Sequence, residues 1–361
     1  MRKKFVGFLL CAAMTATLLA GCGGGSDTKE TDAPAAATEG DTKAAEDTKA
    51  DAGTEAAGDT QAAAPAASGE LIKIGIINND TSESGYRVAN DRDLQRKFTE
   101  ENGYDATFAY GKTNDEQVAA ANKMIQDGVD YLAIAAANTS GWDKVLQDAK
   151  DQGIRVILYD RVIDADEEFY AASIVSDMAK EGETAANWLK DQKLESYNII
   201  HLQGQMGSSA QVGRSEALVN MAEAEGWNIV TQQCADWNAE TAQQIVQSVI
   251  DAGTDFNVIY AENDNMADGA VKALDKAGIK HGVGEKVVIM GFDCNTFALE
   301  NVMNGTWNYD GQCNPYQADM IDEVIQGLQN GQEPAEKTII MEEVGFDQSN
   351  VTPEVIEQFG I

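Results

Sequence analysis

Short apolar runs alternate with amphipathic segments of helical length from Leu71 to the end of the chain, and this alternation limits the fold more than any other feature. Runs such as LIKIGII (71–77) and RVILYD (155–160) have the length and the β-branched content of strands that are buried on both faces. A strand that is followed by a helix and then by another strand is typical of a parallel sheet covered by helices. We therefore predict an α/β fold with Rossmann-like parallel sheets.

The alternation runs through two successive series, which indicates two lobes. The first series predicts strands at 71–77, 106–111, 131–136, 155–160 and 169–176, with helices at 84–101, 114–127 and 140–151. The second series predicts helices at 177–191, 210–225, 239–252, 265–277, 295–303 and 314–329, with strands at 197–204, 227–233, 257–263, 286–293, 306–312 and 338–344. Ligands of such sheets bind at the carboxyl ends of the strands, so two lobes predict a cleft between them.

The charge composition excludes several classes of function. The 361 residues include 26 Lys and Arg against 60 Asp and Glu, which gives a formal net charge of −34. A field of this sign repels phosphate backbones, so nucleic acid is not an expected partner. The chain has only two histidines, so neither a His-rich zinc site nor hydrolysis by a Ser–His pair is expected. We predict no catalytic residues, no cofactor and no metal site.

The first 22 residues, MRKKFVGFLLCAAMTATLLAGC, have the pattern of an export signal. Three positive residues precede an apolar run from Phe5 to Leu19, which is too short to favour a stable membrane span. The segment LAGC (19–22) resembles a bacterial lipobox. This resemblance implies a signal peptide over 1–22, diacylation of Cys22, and an extracytoplasmic protein that is lipid-anchored to the cell membrane. The alternative is an ordinary secretory signal with a coincidental cysteine.

Residues 23–69 differ from both neighbouring regions, because they contain no aromatic and no branched aliphatic residue. Ten acidic residues stand there against three lysines. A segment of this composition has no apolar area to bury, so we predict a disordered acidic tether. A flexible chain of this length has a typical end-to-end reach of roughly 35 to 40 Å.

Polar residues that are rich in hydrogen-bonding groups follow most of the predicted strands. Asp160 and Arg161, Asn263 and Asp293 stand at three strand ends, and Trp237 follows another. Carboxylates accept hydrogen bonds from sugar hydroxyls, arginine and amide groups donate to them, and an aromatic face packs against the C–H side of a sugar. The pattern therefore predicts a polyhydroxylated ligand. The alternative, that each residue is a turn former or a helix cap, leaves the charge of Arg161 beside Asp160 unexplained.

Five stretches carry a more specific signal than the general α/β pattern. They are SESGYR (82–87), TSGWDKVLQDAKDQGIRVILYDRVID (139–164), LQGQMGSSAQVGRSEAL (202–218), YAENDNMADGAVKAL (260–274) and GFD (291–293). Through them, residues 72–345 resemble the periplasmic sugar-binding proteins of the ribose-binding type, the type I solute-binding proteins. Within that group the chain is most similar to the galactofuranose-binding proteins of ABC importers.

The strand-end pattern and this resemblance together predict a set of ligand-binding residues. The set is Glu83, Tyr86, Arg87, Asn138, Asp160, Arg161, Arg214, Trp237, Asn263, Asp293 and Gln312. The resemblance assigns Trp237 to the place of an aromatic stacking platform. The sequence departs from the galactofuranose type at Tyr86, where that type tends to carry Trp, and this leaves the identity of the sugar open.

The resemblance also implies the architecture and the partners. It implies one lobe at 70–174 plus 313–340 and another at 175–312 plus 341–361, joined by crossings near 174, 312 and 341. The implied function is capture of a monosaccharide, galactofuranose-like or galactose-like, and its delivery by a monomer to the permease subunits of an ABC importer. The alternative is a sugar sensor for a membrane kinase or a chemoreceptor. A glycosidase using Asp160 and Asp293 is disfavoured, because Arg161 would keep Asp160 ionised.

Three cysteines remain beyond the N-terminal region, and none has C-x-x-C spacing. Cys294 and Cys313 each follow a predicted ligand-binding residue, so the two thiols could lie close together. The sequence leaves open whether they form a disulfide or stay as buried free thiols, and it does not say whether Cys234 pairs.

Overall fold

The computed structural model of the protein describes residues 70–361. The predicted signal peptide at 1–22 with its lipidation site Cys22, and the predicted tether at 23–69, lie outside these residues. Within the described part of the chain, no helix combines the length and the apolar character that crossing a membrane requires.

Twelve strands and ten α-helices alternate along the described residues. The strands are β1 (Ile72–Asn79), β2 (Tyr104–Gly111), β3 (Tyr131–Ile134), β4 (Arg155–Asp160), β5 (Ala172–Ser176), β6 (Asn198–Gln203), β7 (Asn228–Cys234), β8 (Val258–Ala261), β9 (Val288–Phe292), β10 (Tyr309–Gly311), β11 (Thr338–Met341) and β12 (Gly345–Asp347). The helices are α1 (Gly85–Lys97), α2 (Asn114–Asp127), α3 (Asp143–Asp151), α4 (Met178–Asp191), α5 (Ser209–Glu225), α6 (Ala239–Asp251), α7 (Asp264–Ala277), α8 (Thr296–Asn304), α9 (Ala318–Gln329) and α10 (Pro353–Phe359).

The strands form two six-stranded sheets. The first sheet has the order β11-β5-β4-β3-β1-β2 and the second has the order β12-β10-β9-β8-β6-β7. All neighbouring strands are parallel except β12, which pairs antiparallel with β10 at one edge. The predicted fold class, two α/β lobes with parallel sheets, is confirmed.

Helices bury both faces of each sheet, because successive strand residues point to opposite sides. In β1, Ile74 and Ile76 pack with residues of α1 and α9, whereas Ile77 packs with residues of α2 and α3 on the other face. In β6, Ile200 and Leu202 pack with residues of α6, α7 and α8. Residues of α4 and α5 cover the opposite face of that sheet. We call the first sheet with α1, α2, α3 and α9 the first lobe, and the second sheet with the remaining helices the second lobe.

The chain passes between the sheets three times, after β5, after β10 and after β11. The predicted continuous strand 338–344 is wrong, because the chain leaves the first sheet after Met341 and enters the second at Gly345. The acidic residues Glu342 and Glu343 lie in the crossing between the sheets, and the sequence pattern did not identify them as the end of the strand. The exact lobe boundaries given above stay a prediction.

Candidate ligand-binding site

A small cavity of about 20 Å³ lies where the carboxyl ends of strands from both lobes meet. It is lined by most of the predicted ligand-binding residues and by a few small or apolar neighbours. The lining residues are Glu83, Ser84, Tyr86, Arg87, Asp160 and Arg161 from the first lobe, and Met178, Ala210, Arg214, Trp237, Asn263, Asp293 and Cys313 from the second lobe and a crossing. This is the arrangement that parallel sheets favour for a binding site.

The two lobes touch each other around the cavity, so the described arrangement is closed. Val162 N donates to Ser209 Oγ across the lobes at 3.2 Å, and Arg161 Nη1 lies 3.4 Å from Gln205 Oε1. The contact is tight at Gly85, where an added Cβ would lie 2.0 Å from Asn295 Oδ1. A residue with a side chain at this position would therefore hold the lobes apart.

The half of the cavity formed by the first lobe is a compact network of paired charges. Arg87, on the first turn of α1, donates to Asp160 Oδ2 at 2.5 Å and to Glu83 Oε1 at 3.0 Å. Arg161 donates to the same Glu83 oxygen at 2.7 Å. Burial opposes the charge of Arg87, but Asp160 and Glu83 outweigh it and raise the pKa of the guanidinium. The two positive charges of the arginines thus balance the two negative charges of the carboxylates.

Tyr86 connects this network to the second lobe. Its hydroxyl donates to Asp160 Oδ1 at 2.8 Å and accepts from Gln317 Nε2 at 3.1 Å. Burial, and then the charge of Asp160, raise the pKa of Tyr86 well above its ordinary value, so the hydroxyl keeps its proton and acts as a donor. The ring packs into the apolar cluster of the second lobe, together with Met178 and Trp237.

Left-handed backbone conformations concentrate at the strand ends that line the cavity. Six non-glycine residues among the described ones have positive φ, and five of them lie at or beside the cavity. These are Asp160 (φ 60°), Asp236 (φ 54°), Trp237 (φ 61°), Asp293 (φ 111°) and Cys294 (φ 61°). Such conformations cost free energy and cluster at functional sites, because they aim a side chain in a direction that regular backbone does not allow.

The half formed by the second lobe is built around Arg214 on α5. Its Nε donates to Glu181 Oε2 at 2.7 Å, its Nη1 donates to the backbone oxygen of Glu262 at 2.5 Å, and Nη1 lies 3.6 Å from Asp293 Oδ1. Burial raises the pKa of Asp293 well above its ordinary value, although Arg214 acts in the opposite direction. Asn263 caps α7 through its side-chain oxygen, which accepts from Met266 N at 2.9 Å. Its amide nitrogen remains available to donate a hydrogen bond to a ligand.

Trp237 forms the aromatic part of the wall, and Gly204 fixes its position. An added Cβ at Gly204 would lie 2.0 Å from Cη2 of the indole, so the ring packs directly on the glycine backbone. Gly204 N in turn donates to Glu262 Oε2 at 2.8 Å. The indole Nε1 is buried and has no acceptor among the described residues. The guanidinium carbon of Arg161 lies 5.8 Å from the centre of the ring.

Two of the predicted ligand-binding residues lie outside the cavity wall. Asn138 is at an interlobe contact instead, where Gly207 approaches it and Thr139 N donates to Gly207 O at 3.2 Å. Gln312 is on a crossing, where its Oε1 accepts from Val344 N at 3.3 Å. Both stand at strand ends as predicted, but the chain turns there so that these side chains join the lobes rather than face the cavity.

Sequence reasoning missed three residues that shape the site, namely Gly204, Glu181 and Glu262. Glu262 is fully buried, and its Oε1 contacts His201 Nε2 at 2.8 Å and Ser215 Oγ at 2.5 Å. One signal was present in the sequence, since Glu262 is an acid directly after an apolar strand. Nothing in the sequence indicated that Glu181, on a helix, would pair with Arg214.

A group of potential metal ligands lies at the crossings. Ligand-type atoms of Glu181, Cys313 and Glu343 all lie within 4.8 Å of one another. Protein groups already satisfy part of this cluster, because Arg214 donates to Glu181 and Ser176 Oγ donates to Glu343 Oε1 at 2.8 Å. The absence of a metal site stays a prediction.

The three cysteines of the described residues are free thiols, so Cys294 and Cys313 form no disulfide in this structure. Both are buried, and burial raises the pKa of each thiol well above its ordinary value. They are therefore inert, protonated groups in the packed interior. Of the two alternatives that the sequence left open, the structure has the free thiols.

Known proteins resemble this chain over the residues that build the cavity. A family model described as a periplasmic binding protein domain matches residues 74–333. The galactofuranose-binding protein YtfQ of Escherichia coli (strain K12) is 32% identical over 208 residues, which is 56% of this chain and 65% of that protein, slightly less than two thirds of its length. The fructose import binding protein FruE of Bifidobacterium longum (strain NCC 2705) is 29% identical over 276 residues, which is 74% of this chain and 82% of that protein.

A solved structure has the same architecture. It is the periplasmic binding protein component of the arabinose ABC transporter from Shewanella sp. ANA-3, bound to α- and β-L-arabinofuranose. Its sequence is 26% identical, the TM-score is 0.73, and the alignment covers 79% of this chain and 95% of that one.

Proposed function

The chain belongs to the periplasmic binding protein family, and we propose that it captures a neutral monosaccharide between its lobes and delivers it to an ABC importer. The names of its relatives support the sugar class, since they refer to galactofuranose, fructose and arabinose. The matched region, residues 74–333, contains every residue that lines the cavity.

The observation that carries the proposal is a small, charge-balanced cavity with unused donors. The closed arrangement leaves about 20 Å³ free between the lining side chains, so a sugar ring enters only when the lobes open. Arg161 Nε and Trp237 Nε1 are buried donors without an acceptor among the described residues. Buried polar groups are nearly always hydrogen-bonded, so these two donors favour a ligand that offers oxygen acceptors.

Charge balance argues for a neutral ligand over an acidic or phosphorylated one. Glu83 and Asp160 already pair with Arg87 and Arg161, so the first lobe has no free positive charge to offer. Arg214 is likewise occupied by Glu181. A ligand carboxylate or phosphate would enter a buried site without a counter-ion, which costs several kcal/mol or more.

We infer that the preferred sugar is galactofuranose-like or galactose-like. Two of the compared proteins, YtfQ and the Shewanella protein, bind furanose sugars according to their descriptions. At Tyr86, where the galactofuranose type tends to carry Trp, the hydroxyl donates to Asp160, so the sugar contacts at this position are expected to differ from those of that type.

Binding without chemistry is the proposed mode of action. The relatives and the solved structure reported above are described as binding proteins, which supports binding without a covalent step. Asp160 accepts hydrogen bonds from Arg87 and Tyr86, so the network of the first lobe already uses its carboxylate. The lobes would open and close around the sugar, with the three crossings as the hinge.

Calorimetric titration of the purified protein tests this function. We expect one-site binding of at least one of D-galactose, L-arabinose, D-fructose and D-ribose, accompanied by a change in the fluorescence of Trp237. D-Galacturonate, which carries a carboxylate on the galactose framework, should bind at least tenfold more weakly than D-galactose. Tighter binding of galacturonate, or wild-type affinity in W237A, would contradict the proposed site.

We further propose that the protein is anchored outside the cell membrane through a lipid on Cys22. This proposal rests on the sequence of residues 1–22. C22S should release the protein from the membrane fraction and should abolish metabolic labelling with a radiolabelled fatty acid. The matched variant C11S, within the apolar run, should keep both properties. A C22S protein that is still labelled would refute the lipobox assignment.

A further inference from the structure

Two fully buried aspartates lie directly behind the half of the cavity that the second lobe forms. Asp264 is the first residue of α7 and Asp310 is in the middle of β10, and both side chains are completely inaccessible to solvent. Their carboxyl groups contact each other. An added Cβ at Gly291, on β9, would lie 2.4 Å from Asp264 Oδ1, so the glycine makes room for the pair.

The hydrogen bonding of this pair is incomplete unless it holds a proton. Three oxygens of the pair lack a hydrogen-bond donor among the described residues. They are both carboxyl oxygens of Asp310 and Oδ1 of Asp264. A buried carboxylate without a donor or a counter-ion is very costly, and two carboxylates in contact cannot both ionise. One proton between them removes both problems, because it supplies the missing hydrogen bond and halves the charge.

The groups that face the pair do not replace that proton. Asp293 and the thiol of Cys294 face it from the turn after β9, and Tyr309 adjoins it on β10. Arg214 on α5 is the cation that acts on Asp310, but its own contacts go to Glu181 and towards Asp293. The Cys294 thiol and the Tyr309 hydroxyl stay protonated and neutral, so none of these groups is a cation in contact with the pair.

The pair supports the turn that carries Asp293 into the cavity. Asp264 Oδ2 accepts from Asn295 N at 2.8 Å and from Asn295 Nδ2 at 3.1 Å. Asn295 directly follows Asp293 and Cys294, which both have the strained positive φ described above. A strained turn persists only where its surroundings hold it, and here the holding group is the carboxylate of Asp264.

We propose that Asp264 and Asp310 share one proton as a carboxylic acid–carboxylate pair, and that this pair positions Asp293 for the ligand. Asp310 is then a positioning residue, since it acts on the ligand through Asp264 and the turn. The assignment of Asp293 as a sugar contact rests on the proposed function, whereas the shared proton does not.

The proposal makes ligand affinity depend on pH in the alkaline range. Burial raises the pKa of both Asp264 and Asp310 well above the ordinary value of an aspartate, so the pair keeps a proton at neutral pH. When the shared proton leaves, two adjacent buried charges repel each other and add to the negative potential at Asp293, and the turn loosens. Affinity is therefore expected to be constant around pH 7 and to fall at alkaline pH as the pair loses its proton.

The first experiment needs no sugar. Infrared difference spectroscopy of the folded protein between pH 6.5 and pH 9.5 should reveal a protonated carboxyl C=O band that disappears as the pH rises. D310N and D264N should each lack this band, and D255N, which alters an exposed aspartate of the same lobe, should keep it. If D310N and D264N are folded and retain the full band of the wild type, the shared proton is refuted.

The second experiment measures Kd for D-galactose and L-arabinose from pH 7 to pH 9.5. In the wild type and in D255N we expect Kd to rise at least fivefold over this range, and in D310N the ratio should fall to near one, because an amide donates without titrating. A flat wild-type profile, or the wild-type slope in D310N, overturns the positioning role. If neither sugar binds the wild type, the proposed function fails while the infrared result still decides the shared proton.

Discussion

The two halves of the cavity compensate their buried charges in different ways. In the first lobe, Arg87 and Arg161 face Glu83 and Asp160, and every carboxylate has an arginine within 3.0 Å. In the second lobe, Arg214 is the one arginine near a larger group of acids, which are Glu181, Asp264, Asp293, Asp310 and Glu343. The first half is neutral through ion pairs, whereas the second is neutral only while some of its carboxyls keep protons.

This difference predicts different sensitivities. A paired network fails when one partner is removed, because the other charge is left buried and alone. A proton-dependent network fails when the pH rises. The variants below break one half or the other, beginning with the largest expected loss of stability.

Removing Arg87 should have the largest effect. R87A leaves Asp160 buried without its closest partner, and loss of one member of a buried pair typically costs about 3–5 kcal/mol. The free energy of unfolding in urea measures this loss. R92A, at an exposed position on the same helix, should stay within about 0.5 kcal/mol of the wild type. A similarly small loss in R87A would mean that the first half does not depend on this pair.

Filling the space at Gly204 tests the packed wall of the second half. In G204A the new methyl group overlaps the indole of Trp237, so the ring must move into the cavity. Overpacking of this kind costs about 1–3 kcal/mol, and we expect most of it as weaker sugar binding with a shifted Trp237 emission. G327A, where an added Cβ has no neighbour closer than 3.5 Å, is the matched control. Wild-type affinity in G204A would show that the ring position is not critical.

Removing Arg161 tests whether the first half of the cavity contributes to sugar affinity, rather than whether it stabilises the fold. Its Nε is a buried donor without a partner among the described residues, and a hydrogen bond from a charged group is worth about 1.5–3 kcal/mol. R161A should therefore weaken sugar binding by at least about 1.5 kcal/mol in calorimetry. R155A, which breaks an exposed ion pair with Glu333 in the same lobe, should leave the affinity unchanged. Equal affinities of R161A and wild type would remove Arg161 from the site.

The last test is a slope against pH at the crossings, rather than a loss of free energy at one pH. Burial, and then the charge of Glu181, raise the pKa of Glu343 to about 9. The folded state thus holds a proton that the unfolded chain releases near pH 4, so this group stabilises the protein fully at low pH. The contribution is lost as the pH rises towards 9, at up to about 1.4 kcal/mol per pH unit.

E343Q removes this titration, so its free energy of unfolding should depend less on pH between 5 and 9 than that of the wild type. E342Q changes the exposed neighbouring residue and should keep the wild-type slope. An E343Q protein with the same slope as E342Q would place the proton elsewhere and weaken the contrast between the two halves.

The sequence by itself determined most of the strands and helices and many of the strand-end residues that line the cavity. Helix α2 and strand β4 have the predicted bounds, and residues such as Asp160, Arg161 and Asp293 lie in the cavity wall as their positions in the chain predicted. The physical reason is that burial periodicity is a local property. A parallel sheet then brings the carboxyl ends of its strands together without further information from the chain.

Only the tertiary structure decided which of these groups contact one another. The fit of Trp237 on Gly204, the pairing of Glu181 with Arg214 and the contact of Asp264 with Asp310 all join elements that are distant in the chain. The same is true of β12, which was not predicted as a strand and which belongs to a different sheet from β11. Proton sharing and ring packing depend on distances of a few tenths of an ångström between such elements, and no local pattern of residues specifies those distances.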